Sequence, residues 1–261
     1  METPRFSLPE FAGAFEIRNS EGLPHIIIGG QAVNYWAETY LASEPELACF
    51  QPFVSKDIDF IGHLDDVLNA AKQLGLPTRK PHPKMRTAFA GAVVSYVGNT
   101  KVNIEFVRRL PGVSDAELKR WAVSSARTGK AIRVADPISM LTCKLNLALT
   151  VDQTNRRDAD HFRILLICTR AFLRETLLGA ESGALPIRGW LGAAERVLKL
   201  AESKLGRRAV TALETNWQES LPLKEIQASK LRPVTRFRNG RMEQWASKMA
   251  SSKPAAKSRR R

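Results

Sequence analysis

The sequence predicts an α+β protein: a small mixed sheet flanked by helices, followed by a helical C-terminal half. Three observations support this fold class. A β-branched run at Ile26–Ile28 leads into a glycine pair and a helical apolar pattern, residues 88–107 have the pattern of a hairpin, and amphipathic helical patterns follow residue 113. At 261 residues the chain can bury a substantial core.

The first predicted element is a buried strand that leads through a glycine turn into a helix. Gly29 and Gly30 come directly after the strand at 26–28. Apolar side chains then recur at helical spacing: Ala32, Val33, Trp36, Ala37 and Tyr40. Glycine has no Cβ to block close approach, and a helix N-terminus carries a partial positive charge. We therefore expect the backbone N–H groups of this turn to face a phosphate.

The next predicted strand carries two acids. In an extended segment Asp57 and Asp59 lie on one face, while Ile58 and Phe60 lie on the other. Two close carboxylates raise each other's pKa unless a cation lies between them, and hard divalent ions prefer oxygen ligands. The pair therefore predicts a site for Mg²⁺ or Mn²⁺, although an isolated triplet of this kind also suits a solvated edge strand.

A third acid lies on the predicted hairpin, whose strands cover residues 88–97 and 101–107 around a Gly98-Asn99 turn. On the return strand, alternation places Glu105 on the face opposite Ile104 and Phe106. In this strand register Glu105 can join the aspartates. Three carboxylates with one or two divalent ions are the usual apparatus for moving a nucleotidyl group.

Helices are expected downstream. A capping box at residues 114–117 and the Asp136-Pro137 pair mark helix starts, and helical patterns cover about 137–150, 158–178 and 189–204. We expect a sheet domain over 1–112, a helical domain over 113–229 that closes a cleft, and a basic, disordered tail over 230–261.

Positive charge is concentrated in that tail. The net charge is +14, and residues 230–261 hold eleven Lys or Arg residues against one Glu. Such a tail suits sequence-independent binding to nucleic acid phosphates, and also suits a merely solubilising terminus. A second basic segment over 78–86 is predicted to be a loop, which either contacts triphosphate or acceptor or is simply solvated.

Several other classes are disfavoured. There is no P-loop sequence, and the cysteines and histidines have no zinc-ligand spacing. No apolar stretch approaches the ~20 residues of a membrane span, and the N-terminus lacks a signal-peptide pattern. The sequence therefore predicts a cytoplasmic protein with no membrane partner.

The glycine pair, the Asp57-Ile-Asp59 triplet and Glu105 together resemble the nucleotidyltransferase fold of the DNA polymerase β superfamily, and more narrowly the AbiEii-type toxins. The resemblance covers roughly residues 20–175. It implies that Lys144 is a nucleotide-contacting lysine on a helix and that Asp158 belongs to a later acidic motif.

Two positions depart from the family pattern. Gln31 stands where the family often has serine after glycine, so Ser55 is a candidate substitute for that phosphate contact. Glu105 stands where aspartate is common. Both departures make a catalytically inactive protein that binds nucleic acid or a partner the main alternative.

The resemblance implies an enzyme that transfers a nucleoside monophosphate from an NTP to an acceptor. Asp57 and Asp59 would bind Mg²⁺ or Mn²⁺, and Glu105 would position or deprotonate the acceptor hydroxyl. The nucleotide would be bound by Gly29, Gly30, Ser55, Lys144 and Asp158, with the glycines admitting the phosphates and Lys144 neutralising charge on the triphosphate. The implied role is the toxin of a toxin–antitoxin or phage-defence pair, with RNA such as tRNA as acceptor and a cognate antitoxin as partner. A small-molecule acceptor is a further alternative.

Overall fold

A computed structural model describes residues 4–82, 84 and 87–251. The chain forms two compact units. Unit 1 comprises Met1–Ala148 and Asp152–Leu165, and unit 2 comprises Leu149–Val151 and Leu166–Arg261. The domain boundaries expected at residues 112 and 229 stay predictions.

Unit 1 is built on a seven-stranded mixed sheet. The strands are β1 (Ile26–Ile28), β2 (Ile58–Ile61), β3 (Thr78–Arg79), β4 (Phe89–Val97), β5 (Thr100–Val107), β6 (Val123–Arg127) and β7 (Lys130–Val134). Their spatial order is β3-β4-β5-β2-β1-β7-β6. The pairs β1–β7 and β2–β5 are parallel, whereas the other neighbours are antiparallel. The predicted α+β class with a mixed sheet is thus confirmed.

Helices flank this sheet. The α-helices that begin in unit 1 are α1 (Gly29–Tyr40), α2 (Leu64–Leu74), α3 (Asp115–Trp121), α4 (Pro137–Thr150) and α5 (Asp158–Glu181). Two 3₁₀ helices cover Leu8–Glu16 and Pro45–Phe50. The predicted strand–glycine–helix unit and the hairpin are confirmed. Ser114 is the N-cap of α3, since its side chain accepts a hydrogen bond from the Glu117 N–H, which is one of the two bonds of the predicted capping box.

Strand alternation separates a core face from a polar face in the middle of the sheet. Ile58 pairs with Ile104 and Phe60 pairs with Phe106 across the parallel β2–β5 ladder, and all four side chains are buried. Because side chains alternate along a strand, the residues between them point to the other face. This alternation is what presents the acids of β2 and β5 together.

The β6–β7 hairpin corrects the expectation of helices alone after residue 113. The strands are short, and their exposure alternates instead of forming an apolar run. β7 pairs with β1, about a hundred residues earlier in the chain, with Ile27 opposite Val134. Local periodicity gives little indication of a partner so distant in sequence.

Unit 2 is helical. It contains the later part of α5, followed by α6 (Ile187–Glu202), α7 (Lys204–Ala212), α8 (Leu223–Ala228), α9 (Arg232–Arg236) and α10 (Glu243–Ser251). A 3₁₀ helix covers Trp217–Ser220, and a π-helical turn covers Phe237–Met242. The helices predicted near 158–178 and 189–204 are confirmed within a few residues of their ends.

The segment predicted as a disordered tail is instead helical between residues 232 and 251. Val234 and Trp245 are buried, and the Arg241 guanidinium bonds to both Glu195 and Glu202 on α6. These contacts offset the conformational entropy that the segment loses when it becomes ordered. Its strongly charged composition alone would leave it unfolded. Residues 252–261, with the remaining tail charges, lie outside the described residues.

The helices of the described residues do not meet the requirements of a membrane span. None of the helices over residues 4–251 combines the length and apolar character that a span requires.

Candidate active site

Unit 1 contains a cavity of about 760 Å³ that brings together the acids and the phosphate-binding candidates. Seven of the eight predicted site residues line it: Gly30, Ser55, Asp57, Asp59, Glu105, Lys144 and Asp158. Gly29, the eighth, abuts the Asp59 carboxylate. Residues separated by more than a hundred positions in the chain thus meet in one space.

Strand register places the acids. Asp59 is the register partner of Ile28 on β1 and of Glu105 on β5. Asp57 lies just before β2, where its Oδ1 accepts a 3.3 Å hydrogen bond from the Asn103 N–H. The three carboxyl groups therefore lie on the face opposite the buried Ile58 and Phe60 side chains, as the alternation predicts.

The two glycines make room for side chains of the site. Gly29 has a φ of +69°, and a Cβ added there would lie 1.9 Å from Asp59 Oδ2. A Cβ added at Gly30 would lie 2.7 Å from Ser55 Oγ. The sequence suggested that these glycines admit phosphate directly, whereas here they allow Asp59 and Ser55 to approach the start of α1.

Gln31, where the family often has serine, does not line the cavity. Its side chain is fully buried, donates to the Phe6 carbonyl and accepts from Asn34. Ser55 does line the cavity, beside Gly30. The geometry thus makes Ser55 available for the contact that Gln31 cannot make.

Asp59 is electrostatically strained. Burial raises the pKa of its carboxyl to about 6; the positive charge of Lys144 opposes this shift, and the negative charge of Asp57 adds to it. A carboxyl with this pKa is only partly ionised in mildly acidic solution. A cation next to Asp57 and Asp59 would allow both to ionise.

Glu105 is held by an arginine that lies two strands away. The Arg79 Nη2 lies 3.0 Å from Glu105 Oε1. In the sheet register Arg79 pairs with Ala92, and Ala92 pairs with Glu105, so a small side chain separates the two charged ones. Arg79 also lies over the Phe89 ring, 5.3 Å from its centroid. The methyl group of Ala92 leaves the space through which Arg79 reaches Glu105.

The Glu105 pKa is about 7. Burial is the largest cause, and the charges of Asp59 and Asp57 raise the pKa further, whereas Arg79 lowers it. A carboxyl group with a pKa near neutrality suits the exchange of a proton with a substrate hydroxyl.

The donor set fits a hard divalent cation only in part. Asp57 and Asp59 supply carboxylate oxygens from one strand face, and Gly29 leaves open the approach to the Asp59 oxygen. Across residues 4–82, 84 and 87–251, however, no three His, Cys, Asp or Glu side chains are arranged as a metal site. The predicted set of three carboxylate ligands is thus not preformed, and Glu105 is bonded to Arg79. Two aspartates, completed by phosphate or water oxygens, are the arrangement that fits.

A buried ion pair lies on the helical side of unit 1. Lys144 Nζ lies 2.7 Å from Asp158 Oδ1, with 7% and 3% of the two side chains exposed. Arg156 binds the other oxygen of the same carboxylate. Burial alone would raise the Asp158 pKa, but the charges and hydrogen bonds of Lys144 and Arg156 lower it. Lys144, expected to contact a nucleotide, is thus paired within the protein.

Several cavity residues were not among the predicted site residues. Arg5, Lys56, Arg156, Arg157 and His161 share the cavity with the acids. The Arg156-Arg157 pair immediately before α5 is the sequence signal that could have identified two of them. His161 Nδ1 is buried without a hydrogen-bond partner among the described residues, and burial lowers the His161 pKa well below its ordinary value.

The basic segment over 78–86 is described in part. Arg79, on β3, is the residue of this segment that contacts the site, through Glu105. Residues 83, 85 and 86 lie outside the described part of the chain.

Comparisons with known proteins give a distant structural similarity. No protein-family model matches this chain, and no curated protein sequence matches it. The chain is similar to the crystal structure of the Megavirus polyadenylate synthase, at 17% sequence identity and a TM-score of 0.37. The match covers 67% of this chain and 36% of that one. A similarity this low does not assign a function, so the AbiEii-type resemblance stays a prediction.

Proposed function

We propose that this protein is a nucleotidyltransferase that moves a nucleoside monophosphate from an NTP to a hydroxyl group of RNA. One observation carries the proposal. Asp57, Asp59 and Glu105 lie on one face of adjacent strands and share a cavity with the cationic side chains of Arg156 and Arg157. Acids that bind a metal ion or a proton, next to cations that bind phosphate, are what this transfer needs.

Asp57 and Asp59 are the metal-binding residues in this proposal. When bound to them, Mg²⁺ or Mn²⁺ supplies positive charge that neutralises phosphate oxygens and the leaving pyrophosphate. The two carboxylates hold their positions because Asp59 is fixed by the β2 register and Asp57 by the Asn103 N–H.

Glu105 receives the proton. Its carboxylate takes the hydrogen of the acceptor hydroxyl as that oxygen forms a bond to the α-phosphorus of the NTP. The bond from the α-phosphorus to the β-phosphate oxygen breaks, and pyrophosphate leaves. Arg79 keeps the Glu105 carboxylate oriented. A pKa of about 7 makes Glu105 a more effective base than an ordinary glutamate.

The triphosphate is bound by the cationic side chains of the cavity. Arg157 and Lys56 line it, and Ser55 contributes a hydroxyl donor beside Gly30. Lys144 and Asp158 act indirectly, because the Asp158 carboxylate also binds Arg156. Their pairing fixes Arg156, whose side chain is 42% exposed, at the cavity wall.

RNA is the acceptor that the charge favours, since a net charge of +14 attracts polyanions. The biological role in this proposal is that of a toxin with a cognate antitoxin. Expression of the unmodified chain should arrest growth of a bacterial host, whereas expression of Asp57→Asn should not.

Label transfer tests the chemistry. Purified protein is incubated with Mg²⁺, each α-³²P-labelled NTP in turn, cellular RNA and an aminoglycoside. We expect label on RNA, reduced at least about a hundredfold by Asp57→Asn or Asp59→Asn. Asp65→Asn, at an exposed acid in the first turn of α2, is the matched control and should retain transfer.

The outcomes separate the candidates. Label on the aminoglycoside alone would replace RNA with a small-molecule acceptor. Absence of transfer with every NTP, from protein that is folded by circular dichroism, would overturn the proposal. The second candidate, a catalytically inactive nucleic-acid-binding protein, is favoured by the bonding of Glu105 to Arg79 and would then take its place.

A further inference from the structure

Helix α7 of unit 2 presents three cations on one exposed face. Lys204, Arg207 and Arg208 are spaced at i, i+3 and i+4, so they share one side of the helix, and all three are exposed. Gly206 and Ala209 lie on the opposite side and are buried. The helix contains no acidic residue.

These cations have no partners in the described part of the chain. No ion pair or side-chain hydrogen bond involves Lys204, Arg207 or Arg208 among residues 4–82, 84 and 87–251. The nearest acid in sequence, Glu202, is already paired with Arg241 and Lys248. The charge of α7 is thus not neutralised locally and is available to an external anion.

The backbone of α7 is fixed against its surroundings in unit 2. A Cβ added at Gly206 would lie 2.0 Å from the Leu200 carbonyl oxygen, so only glycine permits this close approach to the end of α6. The buried Trp217 indole donates a 2.9 Å hydrogen bond to the Gly206 carbonyl. The position of the basic face is therefore preset, and a ligand would not need to order the helix.

We propose that Lys204, Arg207 and Arg208 bind the phosphate backbone of single-stranded RNA. Arginine guanidinium groups match phosphate oxygens in geometry and charge. A membrane-surface helix would need a large apolar face in contact with lipid, whereas the other exposed residues of α7 are Thr211 and Ala212, whose side chains are small. The proposal of this RNA-binding surface rests on the proposed function in one respect, namely that the acceptor is RNA. Its test measures RNA binding and not nucleotidyl transfer.

The test is a salt titration of RNA affinity. Fluorescence anisotropy with a labelled single-stranded RNA, without NTP or divalent metal, compares the unmodified full-length chain with Lys204→Glu/Arg207→Glu/Arg208→Glu. We expect the slope of log affinity against log salt to fall by about 2, because each lost phosphate contact contributes about 0.7. The matched control, Lys72→Glu/Lys101→Glu/Lys119→Glu, makes the same change in net charge at exposed positions of unit 1 and should keep the slope.

An alanine variant of α7 and a variant of the C-terminal cations complete the test. If the glutamate variant unfolds, Lys204→Ala/Arg207→Ala/Arg208→Ala removes the charge with a strong helix former and should show the same loss. An unchanged slope in a folded α7 variant would overturn the proposal. So would complete loss of RNA binding on substitution of Lys253, Lys257 and Arg259–Arg261 by alanine, or a stronger effect on binding to anionic vesicles than to RNA. Loss of binding with transfer to a small molecule intact would support the surface while separating it from the chemistry.

Discussion

The Asp59 carboxylate occupies the space in which any side chain at residue 29 would begin. Gly29 has a φ of +69°, and an added Cβ would lie 1.9 Å from Asp59 Oδ2. The turn between β1 and α1 and the acid on β2 therefore fit together only because residue 29 is glycine. Gly29 therefore allows both the left-handed backbone of the turn and the observed position of the Asp59 carboxylate.

Gly29→Ala should displace Asp59 and greatly reduce nucleotidyl transfer. The left-handed backbone alone costs about 1–2 kcal/mol for an alanine, and the clash with Asp59 adds to this. Gly22→Ala is the matched control, since Gly22 has a φ of +75° and open space around it. Thermal unfolding and transfer assays on both variants would check the prediction. Equal loss of activity in the two variants would contradict it.

Arg79→Met should lower kcat about tenfold while leaving the KM for NTP nearly unchanged, because Arg79 acts through Glu105 and not on the nucleotide. Arg79→Lys should recover part of the rate. Stability should change little, since the Arg79 side chain is 56% exposed and such pairs contribute about 0–1 kcal/mol. A rise in KM without a fall in kcat would instead indicate direct contact with substrate.

Breaking the buried Lys144–Asp158 ion pair should reduce the free energy of unfolding substantially. Lys144→Met leaves the Asp158 carboxylate with one partner fewer in a buried position, and we expect a loss of about 3 kcal/mol of unfolding free energy. Lys144→Met/Asp158→Asn should lose less than the sum of its two single variants. Lys199→Met, which breaks an exposed pair with Glu195, serves as the control and should change stability by less than about 1 kcal/mol. Denaturant titration measures all four, and additive effects would contradict the coupling.

The metal-free protein should lose stability as the pH rises from about 4 to 7. The pKa values of Asp59 and Glu105 in the folded protein, about 6 and about 7, lie above their ordinary values. Over this range the folded state therefore binds more protons than the unfolded state, and deprotonation favours unfolding. Glu105→Gln should flatten the upper part of this dependence. Added Mg²⁺ should raise the melting temperature more at pH 8 than at pH 5. An equal rise at both pH values would contradict the assignment of Asp57 and Asp59 as metal-binding residues.

Local patterns predicted those features that depend on neighbouring residues. The helix after Gly29 and the hairpin that carries Glu105 follow from spacing and turn residues. Strand alternation placed Asp57 and Asp59 on the polar face of one strand and Glu105 on the polar face of another, and the β2–β5 register brings the two faces together. What sequence could not supply were contacts between distant segments. Pairing of β7 with β1 and the Arg79–Glu105 bond both depend on the order of strands in the sheet.

The same reasoning explains the helices after residue 230. Composition suggests disorder, because residues 230–261 hold eleven cations against one acid. Yet Trp245 is buried and Arg241 is matched by two acids on α6, more than thirty residues earlier. A basic segment can therefore be predicted to fold only when it is known which acidic side chains lie next to its cations.

The sheet order also governs when the site can exist during synthesis of the chain. β1 is bonded to β2 on one side and to β7 on the other, and the cavity takes residues from Arg5 to His161. A nascent chain that already carries Asp57 and Asp59 still lacks the Lys144–Asp158 pair until it has been extended past residue 158. The ribosome therefore translates more than half of these 261 residues before the complete cavity can form.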